Sequence, residues 1–162
     1  MPAGGNPGAG SKPGARLREL GIELPDPPRP LGAYVESSDT GNLLFLTGML
    51  PLVKGKIAIA GRLGQNLLVE EGQKAAHIAA LNALAVAKGH LGDLDRVKKL
   101  VKLTVLIVTT EQFADHAVVA DGASKLFVQI FGTQLGHTRV TYGVQSMPLG
   151  APVIVETVFE IE

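Results

Sequence analysis

Residues 137–150, HTRVTYGVQSMPLG, run directly into residues 151–160, APVIVETVFE, and this region sets the architecture of the chain. Apolar residues alternate with polar or small ones from 139 to 144, a period typical of a strand with two different faces. The segment Pro148–Gly150 combines a proline with a glycine, residues that favour a chain reversal. The residues after it are nearly all apolar, which indicates burial on both faces. The sequence therefore predicts a hairpin of two strands.

One arginine, Arg139, lies in this otherwise apolar region, and the next carboxylate along the sequence is Glu156. A guanidinium does not lose its charge, so burying it requires an anionic partner. Arg139 either binds the carboxylate of a ligand through its planar fork, or it forms an intramolecular ion pair or extends to the surface. On the residues alone the second interpretation is favoured, because a lone arginine on a strand is common.

The composition indicates a single domain that binds small molecules or copies of itself. The chain has 162 residues, of which 46% are hydrophobic, and it has no cysteine, which excludes disulfides and thiolate metal sites. Its 15 basic and 15 acidic residues cancel, so no overall field attracts nucleic acid or an anionic membrane. Neither a basic and apolar leader nor an apolar run of about 20 residues is present. We therefore expect a cytoplasmic protein.

Residues 1–15 are mostly glycine, proline, alanine and serine, and we expect them to form a disordered tail. Residues 16–162 then form one domain. Within the tail, residues 5–12 read GNPGAGSK, which differs from a phosphate-binding loop in the order of its last two residues and has no strand before it. We therefore do not interpret it as a nucleotide site.

Hydrophobic periodicity places the other elements. The longest pattern, residues 69–91, has an alanine-rich stripe and predicts a helix that packs closely against a sheet. Its His77 and the later His90 lack metal-type partners at helical spacing and are interpreted as ordinary polar residues. The other predicted helices are a short one at residues 16–21 and a longer one at residues 115–131. The predicted strands are residues 33–36, 43–48, 56–59 and 97–109, with a turn at residues 37–42.

The order of these elements predicts an α+β fold in which two helices cover one face of a mixed sheet. Gly122 inside the second helix costs about 1 kcal/mol relative to alanine and indicates a close backbone approach. The other face of the sheet carries apolar residues as well. Self-association is the simplest way to cover it.

Several stretches of the chain follow one another in the order of a known family pattern. They are LGAYVE at 31–36, GNLLFLTG at 41–48, VKLTV at 101–105, and TR at 138–139 through MPLG at 147–150 to VE at 155–156. Together they resemble the RidA family, also called YjgF, whose members are reactive-intermediate deaminases with the older names perchloric-acid-soluble protein and L-PSP endoribonuclease. The similarity extends from about residue 30 to the C-terminus, and a longer N-terminus and the helix around residues 121–132 resemble a divergent branch.

The resemblance implies a chorismate-mutase-like subunit with a mixed six-stranded sheet and two helices on one face. It also implies a homotrimer with its ligand clefts between subunits. Family members of the RidA type hydrolyse 2-aminoacrylate and related imines to keto acids and ammonia without a cofactor. The implied site residues are Arg139 for the substrate carboxylate, Tyr34 and Glu156 in the pocket, Thr47 and Gly48 at a strand end, and Thr141 through its main-chain groups.

Two positions depart from the family pattern. Active members usually carry a glutamate that positions water where this chain has Ile154, and only Glu156, two residues later, remains. Residues two apart on a strand share a face but lie roughly 6.6 Å apart, so Glu156 substitutes only in part. Asp121 stands where an asparagine is frequent, and its carboxylate could compete for Arg139.

Three functions stay open at this stage. The first is an enamine or imine deaminase, a hydrolase that holds the substrate carboxylate and orients water. The second is a trimeric binding module for small carboxylates such as keto acids, which Ile154 favours. The third is an endoribonuclease, which zero net charge and the lack of a plausible histidine pair disfavour.

Overall fold

Three α-helices and seven strands make up residues 10–162, the part of the chain that this computed structural model describes. In addition, Leu94–Arg96 and Pro148–Gly150 each form a single turn of 3-10 helix. The helices are α1 (Pro13–Glu19), α2 (Val69–Leu91) and α3 (His116–Phe131). The strands are β1 (Ser37–Thr40), β2 (Leu43–Leu46), β3 (Leu52–Val53), β4 (Lys56–Ile57), β5 (Val97–Val108), β6 (Thr138–Val144) and β7 (Val153–Ile161).

The mixed α+β fold is confirmed, but the main sheet has five strands rather than six. Its order is β1-β2-β7-β5-β6, with β5 and β6 parallel and every other pair antiparallel. The strand predicted at residues 56–59 pairs instead with β3 in a separate two-stranded ribbon. Lys54 and Gly55 between them both have positive φ, 51° and 77°, which is the geometry of a tight hairpin turn. The ribbon therefore closes on itself and does not extend the sheet.

The hairpin predicted for residues 137–160 is wrong. Strands β6 and β7 both pair with β5, which lies between them, β6 in parallel and β7 in antiparallel orientation. Residues 145–152 carry the chain across the end of β5, with Leu149 and Gly150 at φ of 60° and 69°. Strand β7 is also buried on one face only, because residues such as Glu156 on its other face are exposed.

The first hairpin is shifted along the chain relative to the prediction. Residues 37–40, predicted as part of the turn, form β1, and residues 33–36, predicted as a strand, precede it. Gly41, at φ of 57°, and Asn42 make the tight turn to β2. The serines and the aspartate of β1 are frequent in turns, which explains why the local signal placed the turn too early.

The N-terminal helix begins earlier than predicted. Pro13 is its first residue, so residues 13–15 belong to a helix and not to a tail. The Gly14 N–H donates to Asp95 Oδ1 at 2.7 Å, and the buried Leu17 packs in the core. Residues 1–9, most of the predicted tail, lie outside the described residues.

The long helix α2 has the bounds that the sequence predicts. Glu71 Oε2 accepts the Leu68 N–H at 2.7 Å at its start, and Gly92, at φ of 81°, ends it. Its alanines pack against α3 and the sheet. The close approach predicted at Gly122 is confirmed, because a Cβ there would lie 2.1 Å from the Gln73 carbonyl oxygen of α2. No helix among residues 10–162 is long and apolar enough to cross a membrane.

The sheet face that α2 and α3 leave uncovered carries large apolar side chains. Phe45, Val140 and Tyr142 are 45%, 44% and 52% exposed. Leu106 lies opposite both Tyr142 and Ile154 in the pairing, so these three side chains form a row across β6, β5 and β7. We call this surface the open face. Exposed large apolar side chains on one face are typical of an interface.

Candidate functional site

A cavity of about 460 Å³ lies where the chain leaves β2 and passes under the proline-rich segment 28–31. Leu50 and Leu52 line this cavity, and the buried Asn82 of α2 holds their backbone in place. The Asn82 Nδ2 group donates to the carbonyl oxygens of both leucines at 3.0 Å. The other lining residues that bear on function are Arg29, Tyr34, Glu36, Thr47, Gly48 and Ile154.

A bulge at Gly48 shapes the floor of the cavity. Strand β2 pairs Phe45 with Val158, and the pairing resumes at Met49 with Val155, so residues 46–48 face only residues 156–157. A Cβ on Gly48 would lie 2.6 Å from Ile154 Cδ1. A side chain at position 48 would therefore require the Ile154 side chain to move.

Glu36 and Thr47 stand side by side at the same edge of the cavity. Ser37 pairs with Leu46, and the next step of this ladder is the Thr47 N–H, which donates to the Glu36 carbonyl oxygen at 2.9 Å. Residues directly opposite in an antiparallel pair present their side chains on one face. Because Leu46 is buried on the helix side, Glu36 and Thr47 lie on the open face.

Tyr34 anchors the segment that roofs the cavity. Its Oη atom accepts the Leu31 N–H at 3.0 Å. Arg29, on the same segment, lines the cavity, and its side chain has no ion pair or hydrogen bond within residues 10–162. The roof therefore brings a free guanidinium to an otherwise mainly apolar space.

Arg139 lies on the helix side of β6 and is held by α3. Its Nη1 donates to Asp121 Oδ1 at 2.7 Å and to Ser124 Oγ at 3.1 Å. Its Nη2 also donates to the Ala117 carbonyl oxygen at 3.4 Å. The Arg139 and Asp121 side chains are 23% and 42% exposed, so the pair is partly open to solvent. The intramolecular ion pair that the residues alone favoured is present, and Asp121 does compete for Arg139.

His137 completes this cluster. Ser124 Oγ lies 2.9 Å from His137 Nε2, and because the hydroxyl oxygen accepts from Arg139, its proton is free for the ring nitrogen. Burial, and then the charge of Arg139, lower the pKa of His137 below its ordinary value. The unfolded chain therefore binds this proton more readily, and His137 reduces stability as the pH falls through the ordinary histidine range.

Thr141 is a half-buried residue of β6. Its Oγ1 is buried and has no hydrogen-bond partner among the described residues. Strand β6 is the outer strand of the five-stranded sheet as described, so one row of its backbone groups is available to a ligand or a neighbouring chain. A contact through Thr141 main-chain groups stays a prediction.

The predicted site residues fall into separate groups within one chain. Tyr34, Thr47 and Gly48 line the cavity together. Arg139 and Thr141 lie outside its lining, on the helix side of β6. Glu156 is exposed opposite Thr104 of β5 and is also outside the lining, whereas Ile154 is part of it.

Sequence reasoning missed two residues of the cavity, Arg29 and Glu36. Glu36 follows Tyr34 by two residues in a segment predicted as extended, which places both side chains on one side and could have pointed to it. Arg29 gave no such signal, because a proline-rich connector has no period from which its direction can be inferred.

His77 and His90, which the sequence analysis interprets as ordinary polar residues, do not line a common cavity. His90 Nε2 lies 2.8 Å from Asp39 Oδ1 and its Nδ1 lies 2.9 Å from Ser37 Oγ, which joins α2 to β1. Among residues 10–162, no group of three or more histidine, aspartate or glutamate side chains is arranged to hold a metal ion.

Comparison with known proteins identifies the family to which this chain belongs. A family model described as "YjgF/chorismate_mutase-like, putative endoribonuclease" matches residues 14–161. The chain belongs to this family, the YjgF or RidA family.

The chain is similar in sequence or in fold to three proteins of different organisms. Protein TCP17 of Trypanosoma cruzi is 39% identical over 154 residues, which cover 94% of this chain and 96% of that protein. A crystal structure from Shewanella oneidensis, described as that of "a putative endoribonuclease", has a TM-score of 0.88 and 34% identity, and the match covers 93% of this chain and 100% of the other. Escherichia coli TdcF, solved with bound serine, has a TM-score of 0.64 and 22% identity, covering 87% and 98%, and shares the fold.

Proposed function

We propose that this protein hydrolyses reactive enamine and imine intermediates of the 2-aminoacrylate type to keto acids and ammonia. The observation that carries the proposal is the cavity at Gly48, where three predicted site residues, Tyr34, Thr47 and Gly48, line one space. Its volume of about 460 Å³ is in the range of small-molecule sites. Membership of the YjgF or RidA family supports this class of reaction.

The separation of the site residues within one chain supports a cleft between subunits. Arg139 lies on the helix side of β6, away from the cavity, and reaches a ligand there only if it comes from an adjoining copy. In that arrangement the guanidinium binds the substrate carboxylate through two N–H groups. The cavity of the other copy holds the reacting carbon and the water.

The bound serine in E. coli TdcF supports a small carboxylate ligand. Serine carries an α-carboxylate and an α-nitrogen, the two groups that a 2-imino acid also presents. The cavity of this chain offers a cation, Arg29, and a carboxylate, Glu36, to such a ligand. No cofactor is part of the proposed reaction.

Turnover is the direct test. We expect the protein to release ammonia from 2-aminoacrylate generated in situ faster than the spontaneous rate. The measurement is coupled ammonia detection with the generating enzyme held in excess, and heat-inactivated protein is the control. Ammonia release at the spontaneous rate, together with keto-acid binding by calorimetry, would leave the binding module as the function. Ile154 in place of the family glutamate is the observation that favours that second candidate.

An oligomer of three copies is the second expectation. The open face exposes Phe45, Val140 and Tyr142, and burial of this apolar surface stabilises an assembly by roughly 25 cal/mol per Å² before the costs of association. Light scattering at micromolar concentration should give three times the mass of one chain. A monomer mass would remove the intersubunit cleft and the proposed role of Arg139 with it.

RNA cleavage is disfavoured by the chemistry of the cavity. No histidine is among its lining residues, and the formal net charge of the chain is +0. Phosphate contacts need clustered basic residues, and the lining offers Arg29 as its cation.

A further inference from the structure

We propose that Glu36 supplies the water-activating carboxylate that this chain lacks at position 154. The inference rests on the proposed imine hydrolysis and names a catalytic residue for it. Glu36 is the carboxylate among the lining residues of the cavity, and Ile154 lines the same space. The two come from different parts of the fold, β7 for Ile154 and the residue just before β1 for Glu36.

Backbone pairing fixes the place of Glu36 at the cavity. The Thr47 N–H donates to its carbonyl oxygen at 2.9 Å, so Glu36 sits directly opposite Thr47. Gly48, the next residue, is the one that packs against Ile154. A carboxylate at Glu36 and a side chain at 154 therefore approach the bulge at Gly48 from its two sides.

The Glu36 carboxylate is free to act on a ligand. It has no ion pair or hydrogen bond within residues 10–162, and its side chain is half-buried. The other charged or titratable side chains in the lining are Arg29 and Tyr34, and the Tyr34 hydroxyl oxygen already accepts the Leu31 N–H. An unpaired carboxylate beside an apolar wall is suited to accept a proton from water.

Glu156, the remaining glutamate of the family pattern, is less well placed. It is exposed opposite Thr104 and is not part of the lining. Its distance from position 154 along β7 is one strand repeat, roughly 6.6 Å. Glu36 is thus the carboxylate that shares the cavity with the reacting atoms.

In the proposed hydrolysis of a protonated imine, Glu36 carries every proton that is transferred. Water adds to the carbon of the protonated imine, one water proton passes to the Glu36 carboxylate, and the C=N electron pair moves to nitrogen, giving a carbinolamine. The Glu36 carboxyl returns that proton to nitrogen. The C–N bond then breaks as ammonia leaves, the hydroxyl proton passes to Glu36, and the C=O bond forms. Glu36 finally releases this proton to solvent.

The test compares ammonia release from in situ 2-aminoacrylate by the whole chain and four variants. We expect Glu36→Gln to lower kcat by about 10²–10⁴-fold while keto-acid binding stays, because the amide keeps the shape and loses the base. Glu36→Asp should retain part of the rate. Glu156→Gln should lose far less than Glu36→Gln. Glu70→Gln, at an exposed position of α2, is the matched control and should leave the rate unchanged.

Separate measurement of kcat and of keto-acid binding distinguishes a catalytic from a structural role. Glu36→Gln should lower kcat and leave the affinity for a keto acid that of the unchanged protein, whereas a merely structural change would weaken both. Equal rates for Glu36→Gln and the unchanged protein, or a loss confined to Glu156→Gln, would overturn the role of Glu36 and leave the proposed hydrolysis standing. Ammonia release at the spontaneous rate by the unchanged protein would overturn both.

Discussion

Gly122→Ala is expected to destabilise the fold by about 3 kcal/mol or more, the largest loss that a single added methyl group should cause here. A Cβ at this position would lie 2.1 Å from the Gln73 carbonyl oxygen and 2.8 Å from Gln73 Cα. These are backbone atoms of α2, which do not move as the end of a flexible side chain does. The gain of about 1 kcal/mol in helix propensity does not offset this overlap, so α2 and α3 have to separate.

Gly89→Ala is the matched control, because Gly89 also lies inside a helix. Its added Cβ would meet Pro27 Cγ at 3.5 Å, an ordinary contact. We expect this variant to be stabilised by up to about 1 kcal/mol. Urea unfolding at one protein concentration should show a lower midpoint for Gly122→Ala with an unchanged slope. An unchanged midpoint for Gly122→Ala would mean that the two helices are not in close contact.

The elements that could be predicted from the sequence are those with strong local signals. The alanine stripe and the final glycine gave the bounds of α2, and Gly122 gave the contact between α2 and α3. The pairing of β6 and β7 could not be predicted in this way, because the proline and glycine at 148–150 look the same in a hairpin and in a crossover. Only the long β5, accepting partners on both edges, distinguishes the two.

The candidate site was predictable to a similar extent. The motif residues Tyr34, Thr47 and Gly48 line one cavity, and their contact with a ligand stays a prediction. The segment 33–36 is predicted as a strand, and this prediction assigns no role to Glu36. The proposed approach of Arg139 to the cavity of an adjoining copy depends on contacts between chains, which no local pattern encodes.

The second large expected effect is a loss of keto-acid affinity when Arg139 is substituted. If Arg139 binds the ligand carboxylate, Arg139→Ala should weaken keto-acid binding by about 2–5 kcal/mol. Arg139→Lys should not restore it, because a point ammonium does not reproduce the planar guanidinium, whose Nη1 donates to Asp121 and Ser124 and whose Nη2 donates to Ala117. Calorimetry with a small keto acid measures both variants.

Asp121→Asn should act in the opposite direction and tests the same assignment independently. The amide keeps a hydrogen-bonding oxygen near Arg139 and removes the negative charge that opposes a second carboxylate. Because the pair is partly exposed, its strength is about 0.2–1 kcal/mol, so keto-acid binding should become tighter by up to about fivefold. In the double variant Asp121→Asn with Arg139→Ala this gain should vanish, since no cation remains to be released. Equal affinity in all of these variants would show that Arg139 serves only to join β6 to α3.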